Sequence, residues 1–178
     1  MLAQRANTSD RLRVGVANRV VAWAESAVLF VALYVGLPWV GLALDSVLRW
    51  PPLPGLLRGA GIVPLVLGAA GVTWCFSLFV RVGQGTPNPI VPPRRLVTTG
   101  PFAWTRNPIV LSHALASLGV AFLVESPAAL LLVLLLGVPV QLIARIEEKS
   151  LETRFGDEYR AYRESVPRWL PRRPRQSR

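Results

Sequence analysis

Two short clusters of charged and amide side chains carry the residue types that could bind or orient a polar ligand. The first contains Arg106 and Asn107, and the second contains Arg145, Glu147 and Glu148. A guanidinium can orient a carboxylate through paired, charge-assisted hydrogen bonds. A carboxylate in turn accepts hydrogen bonds from an ammonium group or a sugar hydroxyl. Both clusters border long apolar segments, so this chemistry would take place at a membrane boundary.

The composition predicts an all-α, polytopic membrane protein that forms a single domain over residues 1–178. The chain is 52% hydrophobic and 17% charged, against roughly 25% charged residues in soluble domains. About 20 apolar residues of helix cross a bilayer, and these segments must be helical because lipid offers the backbone no hydrogen bonds. About four transmembrane helices are predicted, at approximately residues 20–44, 59–80, 107–124 and 126–144.

The last two predicted helices form a hairpin, because only Glu125, Ser126 and Pro127 separate them. A hairpin of two membrane helices returns to the side from which it began. The start of the third helix and the end of the fourth are therefore neighbours. This topology places Arg106 and Asn107 near Arg145, Glu147 and Glu148 and joins the two charged clusters into one predicted site.

The charge distribution predicts the orientation in the membrane. Cytoplasmic loops carry an excess of Lys and Arg, and four crossings place 18 of the 20 basic residues on one side. Both termini and the segment 81–106 are thus predicted to be cytoplasmic, in the plasma membrane of a prokaryote. The excess of basic residues on the cytoplasmic side explains the net charge of +10. No nucleic-acid partner is predicted, because no known binding motif is present. A single cysteine excludes a Cys-based zinc site, and no metal is predicted.

Two segments on the predicted cytoplasmic side have distinct patterns. Gly and Pro recur through the first half of segment 81–106, while Leu96, Val97 and Phe102 give it apolar surface to bury. We predict an ordered cytoplasmic loop. The fourth helix should continue past the membrane as a polar helical extension. This extension has an apolar stripe that consists of Leu151, Phe155, Tyr159 and Tyr162. The stripe either packs on the protein or lies in the membrane interface.

The segment from Leu96 to Pro108 resembles the core of the isoprenylcysteine carboxyl methyltransferase and phospholipid methyltransferase families. Their pattern is Leu-Val-x-x-Gly-Pro-Tyr, then Arg-His/Asn-Pro-x-Tyr, then a helical hairpin. Later elements of the pattern follow in order, namely Glu147-Glu148, Phe155-Gly156-Asp157-Glu158-Tyr159 and Val166-Pro167-Arg168. The resemblance covers residues 83–171, about half of the chain, and the ordered set of elements around a hairpin is specific.

The resemblance implies an enzyme that transfers a methyl group from S-adenosylmethionine to a lipid-linked or hydrophobic acceptor. Displacement at a sulfonium mainly requires alignment and a desolvated nucleophile. A carboxylate acceptor, as in the isoprenylcysteine family, is favoured because it needs no general base. Two alternatives stay open, a phospholipid amine N-methyltransferase and a non-catalytic membrane scaffold or lipid-binding protein.

The resemblance also implies roles for individual residues in a cofactor region at 83–108 and 145–171. Leu96 and Val97 would contact the cofactor through their backbone, and Phe102 would lie against it. The helix opened by Arg106-Asn107-Pro108 would favour the cofactor carboxylate. The predicted cofactor-binding residues are Arg95, Leu96, Val97, Gly100, Phe102, Asn107, Pro108, Val110, Glu147 and Glu148, and the predicted catalytic residues are Arg106, Arg145 and Glu147.

The third helix has two residues that differ from the usual family pattern and the only histidine of the chain. Asn107 stands where many family members have His, and it keeps hydrogen-bonding capacity. Val110 stands where Tyr is usual, which removes a polar contact to the cofactor. His113, the only histidine, lies on the same helical face as Arg106. It either bonds to a neighbouring helix or lines a substrate channel.

The charged residues also have a structural interpretation. Arg94, Arg95, Arg106 and Arg145 could serve only as basic anchors at the cytoplasmic surface. The pair Glu147-Glu148 could be a solvated helix face that balances the neighbouring basic residues.

Overall fold

A computed structural model describes residues 20–21, 23–86 and 92–171, and this part of the chain contains helices and no strand. Its four helices are α1 (Trp23–Leu48), α2 (Gly55–Gly83), α3 (Pro108–Leu123) and α4 (Pro127–Ser165). The predicted all-α fold is confirmed. Helices α1, α2 and α4 are long and apolar enough to cross a membrane. Helix α3 has 16 residues, or about 24 Å of helix, and is shorter than a usual transmembrane span.

Helices α2 and α3 pack at very short range through small residues. A Cβ atom added at Gly68 would lie 2.4 Å from the backbone nitrogen of Ala116, and one at Gly119 would lie 2.5 Å from that of Leu65. Neither position has room for a side chain. Close backbone approach through small residues is the usual way in which helices associate inside a membrane.

One end of the bundle, here called the turn end, contains the α1–α2 and α3–α4 connections. Ser126 caps α4 by accepting a hydrogen bond from the Ala129 backbone at 3.0 Å. Asp45, near the end of α1, accepts hydrogen bonds from the Ser126 hydroxyl and from the Ala128 backbone at 3.0 Å. These bonds satisfy first-turn groups of α4 that the helix itself leaves free, and they tie α1 to α4.

The opposite end, here called the site end, contains the segment that joins α2 to α3. Its described part is ordered as predicted, because the Arg94 backbone donates to the Gly83 carbonyl at 2.7 Å. A Cβ atom at Gly85 would lie 2.7 Å from the Pro92 carbonyl oxygen, so these two parts of the segment approach each other closely only with glycine there. A short 3-10 helix, Gly100–Ala103, then leads toward α3.

The second half of α4 forms a helical extension at the site end. The helix is interrupted at Gly156, whose φ of +53° and ψ of −123° are not helical. Beyond this break, Tyr159 and Tyr162 are buried together with Val166, and Leu96 packs against them. The predicted aromatic stripe therefore packs on the protein rather than lying in the membrane interface.

Candidate functional site

The hairpin of α3 and α4 brings the two charged clusters together, as the topology predicts. Nη1 of Arg106, just before α3, lies 2.9 Å from Oε1 of Glu148 on α4. Both side chains are only 10% exposed. Buried charges of this kind are stable only when they are paired, so Arg106 and Glu148 form one buried electrostatic unit, while Arg145 and Glu147 are exposed.

A cavity of about 490 Å³ lies beside this pair, within the size range of small-molecule sites. The end of α2, the described loop, the start of α3 and the second half of α4 form its walls. Apolar side chains make up most of the lining, and the polar groups are few. Seven predicted site residues line it, namely Leu96, Val97, Phe102, Arg106, Asn107, Glu147 and Glu148.

Glu148 is held by two guanidinium groups. Arg168 donates from Nε to Oε1 at 2.8 Å and from Nη2 to Oε2 at 2.6 Å. This bidentate arrangement is the strongest geometry available to an arginine and a carboxylate. The hydrogen bonds to Glu148 raise the pKa of Arg168 above its ordinary value, and the group stays charged.

Arg106 and Tyr159 are neighbouring buried polar side chains at the wall of the cavity. Nη1 of Arg106 is ion-paired with Glu148, whereas its Nε is buried and forms no hydrogen bond with another described residue. Burial raises the pKa of the Tyr159 hydroxyl, and a hydrogen bond with the Arg106 guanidinium opposes that shift. Buried polar groups in native proteins are nearly always satisfied, so Nε of Arg106 is an exception within the site.

The residues around Arg106 are fixed by the chain that follows α4. The Arg106 backbone donates to the Pro167 carbonyl at 2.9 Å. The Arg168 carbonyl accepts from the Thr105 hydroxyl at 2.8 Å and from the Asn107 amide at 3.2 Å. The predicted ligand Asn107 thus has its amide nitrogen bonded to the protein backbone.

The other predicted site residues lie outside the cavity lining. Arg95 and Arg145 are exposed. Gly100 has a φ of +61°, and a Cβ there would meet Leu78 and Trp74, so its role in the structure is conformational. Pro108 is buried at the first position of α3, and Val110 is half-buried. Their contacts with a cofactor stay predictions.

His113 is buried in the helix bundle and does not line the cavity. Its Nδ1 shares a 2.7 Å hydrogen bond with the hydroxyl of Tyr34 on α1, and the Phe30 ring meets it edge-on at 5.2 Å. Tyr34 lies in a π-helical turn, Ala32–Gly36, that interrupts α1. Of the two interpretations of His113, the structure shows the bond to a neighbouring helix.

Several residues in or next to the cavity are not among the predicted site residues. Tyr162 donates from its hydroxyl to the Phe102 carbonyl at 2.7 Å. Arg154 donates from Nη2 to the Pro93 carbonyl at 2.6 Å and so connects α4 to the loop. Arg168 holds Glu148 from outside the cavity lining. The aromatic stripe and the closing Val-Pro-Arg element contain or adjoin all three residues, but neither pattern reveals which side chain each one contacts.

The phospholipid methyltransferase family model matches residues 58–158. The match covers more than half of the chain, and the chain belongs to this family. Its known relatives include the cobalt-zinc-cadmium resistance protein CzcN of Cupriavidus metallidurans, which is 27% identical over 167 residues. That alignment covers 93% of this chain and 67% of CzcN. No solved structure matches the chain significantly.

The described residues contain no group of three or more His, Cys, Asp or Glu side chains that could hold a metal ion. The family match ends at residue 158, just before Tyr159. The part of the site formed by Tyr159, Tyr162 and Arg168 therefore follows the matched region.

Proposed function

We propose that this chain is an integral membrane enzyme that transfers the methyl group of S-adenosylmethionine to a lipid-linked or otherwise hydrophobic acceptor. The observation that carries the proposal is a cavity of about 490 Å³ whose lining includes seven of the predicted site residues, Arg106 and Glu147 among them. When bound, the cofactor supplies an electrophilic methyl group on a sulfonium. Membership of the phospholipid methyltransferase family supports methyl transfer as the reaction.

The cavity residues fit the polar groups of this cofactor. The Arg106 guanidinium, with the Tyr159 hydroxyl, would bind its carboxylate, since charge-assisted hydrogen bonds to carboxylates are strong. Glu147 would accept hydrogen bonds from its ammonium group or its ribose hydroxyls. Phe102 would lie against it, with Leu96 and Val97 completing the wall of the cavity.

The cavity also has an apolar side suited to a hydrophobic acceptor. Ile143 and Ile146 line it, yet these side chains are 61% and 71% exposed. Both lie on α4 next to its apolar, membrane-length segment. An acyl or prenyl chain in the bilayer could therefore reach the cavity without crossing water. Water excluded by such a chain would leave the nucleophile desolvated, which favours displacement at the methyl group.

Two acceptor groups remain candidates. A carboxylate is the first, because it is ionised at neutral pH and needs no general base. A phospholipid amine is the second, and Glu147 favours it. This carboxylate lines the cavity and forms no ion pair with another described residue, so it could receive the proton of an amine.

The proposal extends to location and topology. We infer an inner membrane protein of a prokaryote with both termini in the cytoplasm. The supporting observation is that 18 of 20 basic residues fall on one side of four crossings. A C-terminal reporter that is active only outside the cytoplasm should be silent. Activity of that reporter would contradict the topology.

The direct test is transfer of a labelled methyl group from S-adenosylmethionine to a total lipid extract by the purified full chain. We expect label in an organic-soluble product. Mild alkaline hydrolysis then separates the two acceptors, because it releases methanol from a methyl ester and leaves an N-methyl group in place. A chain that neither transfers label nor binds S-adenosylmethionine would instead be a membrane scaffold or lipid-binding protein.

A further inference from the structure

The segment that follows α4, residues 166–171 and here called the closing strap, returns along the helix toward the bilayer. Arg168 binds Glu148 through two hydrogen bonds, at 2.8 and 2.6 Å. The next residue, Trp169, donates from Nε1 to Oε1 of Gln141 at 2.5 Å. Gln141 precedes Glu148 by about 10 Å of helix, in the apolar part of α4. The closing strap therefore extends from the site to the membrane segment.

Gln141 indicates how deep Trp169 lies. It is the only polar side chain between residues 127 and 144, most of the segment predicted to cross the membrane. A polar side chain in such a helix needs a hydrogen-bond partner, and the indole N–H of Trp169 is that partner. Tryptophan has an apolar ring and one polar N–H, and it is enriched where membrane meets water. The contact places the closing strap at this boundary.

Leu170 and the residues after it have the pattern of a membrane-surface anchor. The Leu170 side chain is 82% exposed, although the preceding residue is bonded to a membrane helix. Residues 172–178 include four arginines and no acidic residue. An apolar side chain next to a basic cluster fits an anionic bilayer surface, because acyl chains surround the first and lipid phosphates attract the second.

The closing strap also holds the candidate site together. The Arg168 carbonyl accepts hydrogen bonds from the side chains of Thr105 and Asn107, which flank Arg106 in the sequence. The Arg168 side chain binds Glu148 on α4. Bonds from one short segment thus reach both halves of the Arg106–Glu148 ion pair. An interaction that keeps the strap at the membrane also keeps this pair in place.

We propose that residues 166–178 bind the anionic lipid surface at the site end and that this contact stabilises the cofactor site. Leu170 lies among the acyl chains, and the arginines of residues 172–178 lie on lipid phosphates. The binding surface itself is independent of the reaction. Its effect on the site rests on the proposed function, in which Arg106 and Glu147 bind S-adenosylmethionine.

The first test measures where Leu170 lies. The full chain carries a spin label at Leu170→Cys, in a Cys75→Ala background, and is reconstituted in vesicles of equal amounts of phosphatidylcholine and phosphatidylglycerol. We expect relaxation of the label by molecular oxygen, which concentrates in lipid, and protection from a nickel chelate, which stays in water. A label at Asp157→Cys is the control, because the Asp157 side chain is 94% exposed at the same end. The inference is wrong if the chelate reaches both labels equally.

The second test removes charge from the anchor and measures the affinity for S-adenosylmethionine in the same mixed vesicles. Arg172→Gln/Arg173→Gln should bind the cofactor roughly threefold or more weakly than the wild type, because each basic residue near an anionic surface adds to membrane binding. In vesicles of phosphatidylcholine alone the two proteins should have equal affinity.

The matched control, Arg49→Gln/Arg58→Gln, removes two exposed arginines at the turn end. It should keep wild-type affinity in both kinds of vesicle. Because all three proteins are compared in the same membrane, accumulation of the cationic cofactor at the anionic surface affects them equally.

Two results of the second test would overturn the link between lipid and site. One is wild-type affinity of Arg172→Gln/Arg173→Gln in the mixed vesicles. The other is an equal loss in both kinds of vesicle, which would assign these arginines to the fold instead of the lipid. A wild-type chain that binds no S-adenosylmethionine in any vesicle contradicts the proposed function itself, and the spin labels then still decide whether the strap binds the membrane.

Discussion

The two ends of the helix bundle each contain a carboxylate that joins two helices, and they use it differently. At the turn end, Asp45 accepts hydrogen bonds from the Ser126 hydroxyl and the Ala128 backbone, and Ser126 caps α4. At the site end, Glu148 is held by Arg168 and Arg106, and Nε of Arg106 forms no hydrogen bond with another described residue. The turn end is a closed hydrogen-bonding network, whereas the site end has capacity left for a ligand.

This difference assigns stability of the fold mainly to the turn end and ligand binding mainly to the site end. A buried polar group that is fully satisfied stabilises the fold, and its loss costs stability. A buried polar group without a hydrogen-bond partner in the protein lowers the stability of the fold. The simplest explanation for such a group is a ligand that forms the missing hydrogen bond when it binds. Substitutions at the two ends should therefore affect different measurements.

The largest expected effect is at the site end. Arg106→Gln removes the charge and the donors that would bind the cofactor carboxylate, each worth about 1.5–3 kcal/mol. We expect kcat/KM for S-adenosylmethionine to fall roughly 100-fold or more in the labelled-methyl assay. Arg58→Gln, at the exposed ion pair with Glu125 at the turn end, is the control and should retain wild-type activity. Equal activity in the two variants would remove the distinction between the ends.

An intermediate effect, on stability alone, is expected at the turn end. Ser126→Ala removes the cap of α4 and should lower the free energy of unfolding by about 1 kcal/mol. Asp45→Asn should act in the same direction, because the amide cannot accept both hydrogen bonds as strongly. The measurements are thermal unfolding in detergent and cofactor affinity. A turn-end variant with normal stability and weak cofactor binding would contradict the claim that the turn end contributes to stability alone.

The smallest effect is expected between the two ends, at His113. His113→Phe removes the hydrogen bond to Tyr34, and such bonds inside membrane proteins contribute about 0.6 kcal/mol on average. We expect slightly lower thermal stability and unchanged turnover, while His113→Gln should be close to the wild type in both. Slow turnover in both folded variants, with normal cofactor binding, would instead support a role in a substrate channel.

The part of the site that depends on topology could be predicted from the sequence. A hairpin forces the start of α3 and the end of α4 together whatever its side chains are, and Arg106 and Glu148 are in contact as a result. The face of α4 was harder to assign. Ala144 and Glu148 are buried one turn apart, while Arg145 is exposed, and the sequence alone does not show which of these neighbours points inward.

The position of Arg168 could not be predicted, because it depends on two departures from helical periodicity. Gly156 interrupts α4 with a positive φ, and Val166 is extended where the helix ends. Together they return the chain to the start of α3. A helical pattern of apolar residues correctly indicates that Tyr159 and Tyr162 are buried, but it contains no information about the direction of the chain after such breaks.

The most direct test of the central claim is equilibrium binding of labelled S-adenosylmethionine to the purified full chain. The site-end geometry predicts one saturable site per chain, competed by unlabelled cofactor. It also predicts that binding is strongly weakened in Arg106→Gln and kept in Arg58→Gln. Absence of saturable binding to the wild type, or equal binding to Arg106→Gln, would contradict the assignment of this cavity as the cofactor site.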